Sequence, residues 1–111
     1  MTITELRIYS TKNGKKPFIK WIDKLHDNVT KAYIKNKVLR LALGQGDIKF
    51  VGGGIFELRI HYGAGYRVYF TRHEKPVILL LTGGSKRTQQ KDIKKARLFW
   101  QDFLERHHEK T

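Results

Sequence analysis

The sequence predicts one α+β domain over residues 1–111, an antiparallel sheet of four to five strands with an N-terminal helical hairpin and a C-terminal helix. Apolar residues recur at helical spacing up to Ala42, then alternate with polar ones from Ile48 to Thr82 between glycine-rich breaks. Helical spacing returns after Thr88. A run of helices, then strands, then a helix places helices on an antiparallel sheet, and 111 residues suffice for one core.

Leu6 and Ile8 alternate with Arg7 and Tyr9 as in a half-buried strand, which Lys12, Asn13 and Gly14 end with turn chemistry. Pro17 suits the first turn of a helix because its missing N–H would be unpaired there anyway. Phe18, Trp21, Ile22 and Leu25 then form one stripe. Asp27 or Asn28 can cap a second helix carrying Val29, Tyr33, Val38, Leu41 and Ala42, which Gly44 and Gly46 stop. Beyond Gly52, Gly53 and Gly54, the segments Ile55 to Tyr62, Tyr66 to Thr71 and Pro76 to Thr82 read as three meandering strands, with turns at Gly63–Gly65 and His73–Lys75. Thr88 is the expected cap of a last helix with Ile93, Ala96, Trp100, Phe103 and Leu104 on its apolar side. Beyond Leu104 the chain turns polar and is expected to fray.

Charge narrows the function classes. Lys and Arg number 23 against 10 Asp and Glu, a formal net charge of +13, and such a field favours polyanionic partners. With no cysteine, a disulfide scaffold and a cysteine-based zinc site are both excluded. Met1 to Tyr9 lacks the charged-then-apolar pattern of a secretory leader, and Val77 to Leu81, the longest apolar stretch, is far short of the roughly 20 residues a membrane helix needs. The expectation is a cytoplasmic protein without membrane contact. No His, Cys or acidic pair has metal-ligand spacing, and Gly83, Gly84, Ser85 and Lys86 do not meet the GxxxxGK[ST] pattern of a phosphate loop. No metal or cofactor is expected.

Alternation puts Phe56, Leu58 and Ile60 on one side of a strand and Glu57, Arg59 and His61 on the other. In the next strand Tyr66, Val68 and Phe70 oppose Arg67, Tyr69 and Thr71. Pairing would bring Arg67 and Tyr69 towards Arg59 and His61, giving an uncovered face that is basic and aromatic, with the Lys86 and Arg87 loop above it. This combination suits RNA cleavage, because RNA carries its own nucleophile in the 2′-hydroxyl. The protein then has to orient that group, stabilise the added negative charge and protonate the leaving oxygen. Arginine grips phosphate oxygens bidentately. A lysine or histidine whose pKa its surroundings bring towards neutrality can move protons, which makes Lys86 and His61 candidates. Tyr66 or Tyr69 could stack on a base, or equally belong to the core. Each residue also has a plainer reading as an ordinary solvated group, and the signal is their convergence.

The segments IFELRIHYGAGYRVYF and VILLLTGGSKRTQQKDIKKARLFW resemble the HigB-like, phage-derived branch of the RelE/ParE toxins, the addiction-module killer proteins. The similarity is densest from about Gly54 to Trp100 and rests on ELR, GYRVYF and a GxKxxQxxDI pattern, here GGSKRTQQKDI with Lys86, Gln89 or Gln90, and Asp92 at or near its marked positions. The resemblance implies a RelE-like fold and a type II toxin made beside an antitoxin, commonly one with a helix-turn-helix. It also implies a metal-independent endoribonuclease acting on messenger RNA at the ribosome. By resemblance, Arg59, Arg67 and Lys86 or Arg87 act on the scissile phosphate; from the chemistry of the residues themselves, His61 or a lysine is expected to handle protons and Arg87, Tyr66, Tyr69 and Lys91 to hold RNA. Glu57–Leu58–Arg59 replaces a lysine-rich strand of RelE, and the RelE C-terminal tyrosine has no clear counterpart after Trp100. The resemblance therefore leaves the proton-transfer groups open. The alternative it carries is a non-enzymatic, ParE-like inhibitor of DNA gyrase.

Overall fold

The computed structural model describes residues 4–74 and 77–108. Its elements are β1 (Glu5–Ile8), α1 (Pro17–Lys24), α2 (Asn28–Leu41), β2 (Asp47–Phe50), β3 (Phe56–Ile60), β4 (Tyr66–His73), β5 (Val77–Ser85), a 3-10 turn (Lys86–Thr88) and α3 (Gln89–His108). One five-stranded sheet has the order β1-β5-β4-β3-β2. The expected three-strand meander is β3 to β5, and β2 adds a fourth antiparallel strand beside β3. β1, however, runs parallel to β5, with Glu5 opposite Val77 and Ile8 opposite Leu80, so the sheet is mixed rather than wholly antiparallel.

The helix signals act at the expected places. Pro17 occupies the first turn of α1, and Asp27 caps α2 by accepting the Val29 amide at 3.0 Å and the Thr30 hydroxyl at 2.8 Å. The buried stripe of α2 runs through Thr30, Ile34, Val38 and Leu41, whereas Val29 is exposed. Asp27 rather than Asn28 is the cap, and the helix begins at Asn28. α3 is longer than expected. A 3-10 turn, with Ser85 just before it, leads into the helix; Thr88, the expected cap, immediately precedes its first residue Gln89, and the helix continues past Leu104 to His108. Its end is tied down: the Arg106 guanidinium donates to the Ser10 carbonyl at 2.5 Å and to Asp102 at 3.1 Å.

The sheet has helices on both faces. On one, Phe18 and Ile22 of α1 and Ile34, Val38 and Leu41 of α2 pack on Leu58, Ile60, Val68, Phe70, Ile78 and Leu80. Each fully buried Leu, Ile or Phe there contributes about 1.5–3 kcal/mol relative to exposure. On the other, Ile93 and Ala96 of α3 meet Tyr9, Ile55, Tyr69, Leu79 and Leu81. The expectation of an uncovered second face is thus corrected. α3 covers its β4–β5 half because Ile93 and Ala96 must also leave water.

β5 runs three residues beyond the expected Thr82 and ends at Ser85; the expected start at Pro76 and the turn at Lys75 lie outside the described residues. Gly83 and Gly84 make this extension possible. Val68 pairs with Gly83 and Arg67 with Gly84. A Cβ on Gly83 would collide with the Trp21 ring from α1, and one on Gly84 with the Asp92 carboxylate from α3. Two residues without side chains therefore let both helices close on the same stretch of backbone.

Candidate functional site

The strand registers line up four residues across the sheet near one end. Asp47 of β2 is opposite Arg59 of β3, Arg59 opposite Arg67 of β4, and Arg67 opposite Gly84 of β5. Two arginines directly opposed on one face repel each other. Two carboxylates offset this: Asp47 Oδ1 takes the Arg59 Nη2 at 3.0 Å, and Glu57 Oε2 lies 3.4 Å from the Arg67 Nε. The second contact is an ion pair by proximity only, since the Arg67 Nε has no hydrogen-bond partner among the described residues.

Glu57 is the least expected member of the site. It is fully buried on β3, between β2 and β4. Its Oε2 accepts the Tyr69 hydroxyl at 3.1 Å and the Gln89 side-chain amide at 2.8 Å, while Oε1 has no partner among the described residues. A buried carboxylate is costly to maintain without paired charge and donors, and Arg67, with only 13% of its side chain exposed, is the cation beside it. Gln89, rather than Gln90, is thus the glutamine of the GxKxxQxxDI pattern that reaches the site. Asp92, also buried, takes the Thr88 hydroxyl.

Beyond β3, the turn 63–65 bends the chain into β4 and shapes a cleft of about 430 Å3. Arg59, His61, Tyr66, Arg67 and Lys86 all line it. The Lys86 amide donates to the Gly65 carbonyl at 3.2 Å, fastening the 3-10 turn beside the hairpin and bringing Lys86 to the rim. His61 is 74% exposed at the side chain, and its Nε2 lies 2.6 Å from Asp47 Oδ2. One carboxylate therefore orients both Arg59 and His61. The His61 hydrogen bond, with Arg59 second, holds the Asp47 carboxyl below the usual carboxylate range.

Five of the eight residues singled out in the sequence thus share one cleft. The other three do not. Arg87 and Lys91 are exposed but lie off the cleft. Tyr69 is fully buried beneath α3 with its hydroxyl committed to Glu57, so it cannot stack on a base. Burial, and next the Glu57 charge, push its phenol pKa upwards. Tyr66 is half-buried at the cleft wall, with its ring centroid 6.4 Å from that of Trp21. Sequence reasoning missed Asp47 and Glu57 as members. Glu57 carried a signal, being the one acid on a strand face with Arg59 and His61; Asp47 lay just before the recognised period-two segment. No three His or acidic groups among the described residues are placed to hold a metal ion, and no described helix is long and apolar enough to cross a membrane.

The cleft can hold an anion between guanidinium and ammonium groups and has an imidazole within the same walls. Residues 20–99, which supply all of these groups, match the family described as "Phage derived protein Gp49-like (DUF891)". An uncharacterized protein of Haemophilus influenzae (strain ATCC 51907 / DSM 11121 / KW20 / Rd) is 49% identical over 87 residues, covering 78% of this chain and 88% of that protein. The chain belongs to the phage-derived Gp49-like family, a family of RelE-like toxins.

Proposed function

We propose that the protein is the HigB-like toxin of a type II toxin-antitoxin system and that its cleft cleaves messenger RNA on the ribosome without a metal ion. The observation that carries the reading is the opposition of Arg59 and Arg67 in one cleft with His61 and Lys86. Two guanidiniums side by side are expensive in repulsion and are well suited to a phosphate whose charge grows in the transition state. In the reaction the 2′-oxygen forms a bond to phosphorus as its proton departs, and the bond from phosphorus to the 5′-oxygen breaks as that oxygen gains a proton. The products are a 2′,3′-cyclic phosphate and a 5′-hydroxyl. Arg59 and Arg67 bind the non-bridging oxygens, Lys86 adds positive charge from the rim, and His61, held by Asp47, exchanges the proton. Tyr66 offers a face to a neighbouring base.

The partners in this reading are messenger RNA, the ribosome and a cognate antitoxin, with a helix-turn-helix the expected antitoxin type, and the ribosomal substrate puts the action in the cytoplasm. The test is a brief pulse of expression in a bacterial host followed by mapping of transcript ends. New internal ends within minutes, absent for Arg67→Ala at equal protein level, are expected. Growth arrest with intact transcripts overturns the nuclease, and inhibition of gyrase supercoiling by the purified protein would assign the ParE-like activity instead.

A further inference from the structure

A second cavity, about 750 Å3, lies between α1 and α3 beside the end of β5. Tyr66 lines both this groove and the arginine cleft, so the two adjoin. The groove exists because β1 accompanies β5 only from Val77 to Leu80, with the Tyr9 amide on the Leu80 carbonyl at 2.9 Å completing the pairing. The chain then leaves for α1, and the last residues of β5 face the space between two helices. Trp21, lying on Gly83, joins Tyr66 as an aromatic wall. Lys15, Lys20, Lys24 and Lys95 also line the groove, and none of them is in an ion pair among the described residues. Its one lining carboxylate with a buried side chain near these lysines, Asp92, is bonded by Thr88.

We propose that this groove carries the single-stranded nucleotides flanking the scissile phosphate, a substrate track that rests on the nuclease reading above. Cations from α1, the preceding loop and α3 stand on different sides of the groove, which suits a flexible polyanion passing between them. The aromatic wall selects single strands: a duplex hides its base faces in its own stack, whereas an unpaired base can lie on Trp21 or Tyr66 whatever its identity. Continuity through Tyr66 lets one strand occupy both cavities.

The test uses a short single-stranded RNA methylated at every 2′-oxygen, which cannot be cleaved because its nucleophile is blocked. Its binding is followed by fluorescence anisotropy as a function of salt. Lys20→Ala/Lys24→Ala removes two groove cations; Lys35→Ala/Arg40→Ala removes two exposed cations of α2 that line neither cavity. Each phosphate contact to a single strand contributes about 0.7 to the slope of log affinity against log salt, so the groove variant is expected to lose about 1.4 and the control far less. Equal slopes for the two variants, or equal binding of the corresponding duplex, overturn the track while leaving wild-type cleavage intact. If the wild-type protein neither binds nor cleaves RNA, the nuclease reading and the track fall together.

Discussion

The two faces of the sheet are built from the same strands by the same alternation, yet they are put to different use. Towards α1 and α2 the strands present Leu58, Ile60, Val68, Phe70, Ile78 and Leu80, a hydrocarbon layer sealed by two helices. Towards α3 they present Glu57, Arg59, Arg67 and Tyr69 as well as Leu79 and Leu81, and one helix covers only part of the span. The helix start, at Gln89, meets the buried Glu57, and beyond it lies the cleft with Arg59 and His61. One face thus stores stability, and the other holds charge at the boundary between core and solvent.

The largest effect is expected from the first face. Phe70→Ala leaves a cavity in the sealed layer and should cost about 3–5 kcal/mol in urea unfolding. Tyr69→Phe, the adjacent residue pointing the other way, removes only a hydroxyl bonded to a carboxylate and should cost about 1.5–3 kcal/mol. The reverse order would mean that the polar network rather than the apolar layer is the main support.

Gly83→Ala probes where the two faces meet at β5. Its methyl group would force the Trp21 ring aside, with an expected loss of about 1–3 kcal/mol. Combining it with Trp21→Leu should be less damaging than the two single changes added together, because the second removes the collision; strict additivity in the same unfolding measurement would refute the contact.

Smaller effects are read by titration. Burial first, and then the Asp102 hydrogen bond, push the Tyr9 phenol up to about 12 from the ordinary 10.0. A raised pKa contributes stability that is fully present below the unfolded value and is lost as pH rises through the folded one. Alkaline destabilisation between pH 10.0 and about 12 is therefore expected, and Asp102→Asn should shift the phenolate absorbance change to lower pH. Asp47 works in the opposite sense. Its carboxyl should titrate below 3.8 in a carbon NMR experiment, so its contribution is present above the unfolded value and lost as pH falls through the lowered one. His61→Ala should raise that titration towards 3.8, since the imidazole is the first cause of the shift.

Much of this arrangement was legible in the chain. Period-two spacing found Arg59 and Arg67 on one face, and Pro17, Asp27 and the glycine breaks located the hairpin and the turns. Four things were not legible, each for a physical reason. The parallel placement of β1 depends on pairing between segments about 70 residues apart, for which a four-residue strand carries no local signal. Tyr69 alternates with the basic set, but whether a sheet face is covered depends on where α3 docks. The Asp47 clamp joins two strands through the register of a hairpin, and register is a property of the pair. The glycines 83 and 84 read as a loop because strands disfavour glycine; close approach of Trp21 and Asp92 overrides that preference.

The most direct measurement incubates the purified protein with one messenger RNA in two states, translated by ribosomes and untranslated, and maps the ends produced. The account predicts fragments ending in 2′,3′-cyclic phosphate from the translated copy, formed about 100-fold more slowly or worse by a folded Arg67→Ala protein. An intact translated transcript, or fragments formed equally fast without the Arg67 guanidinium, would contradict it.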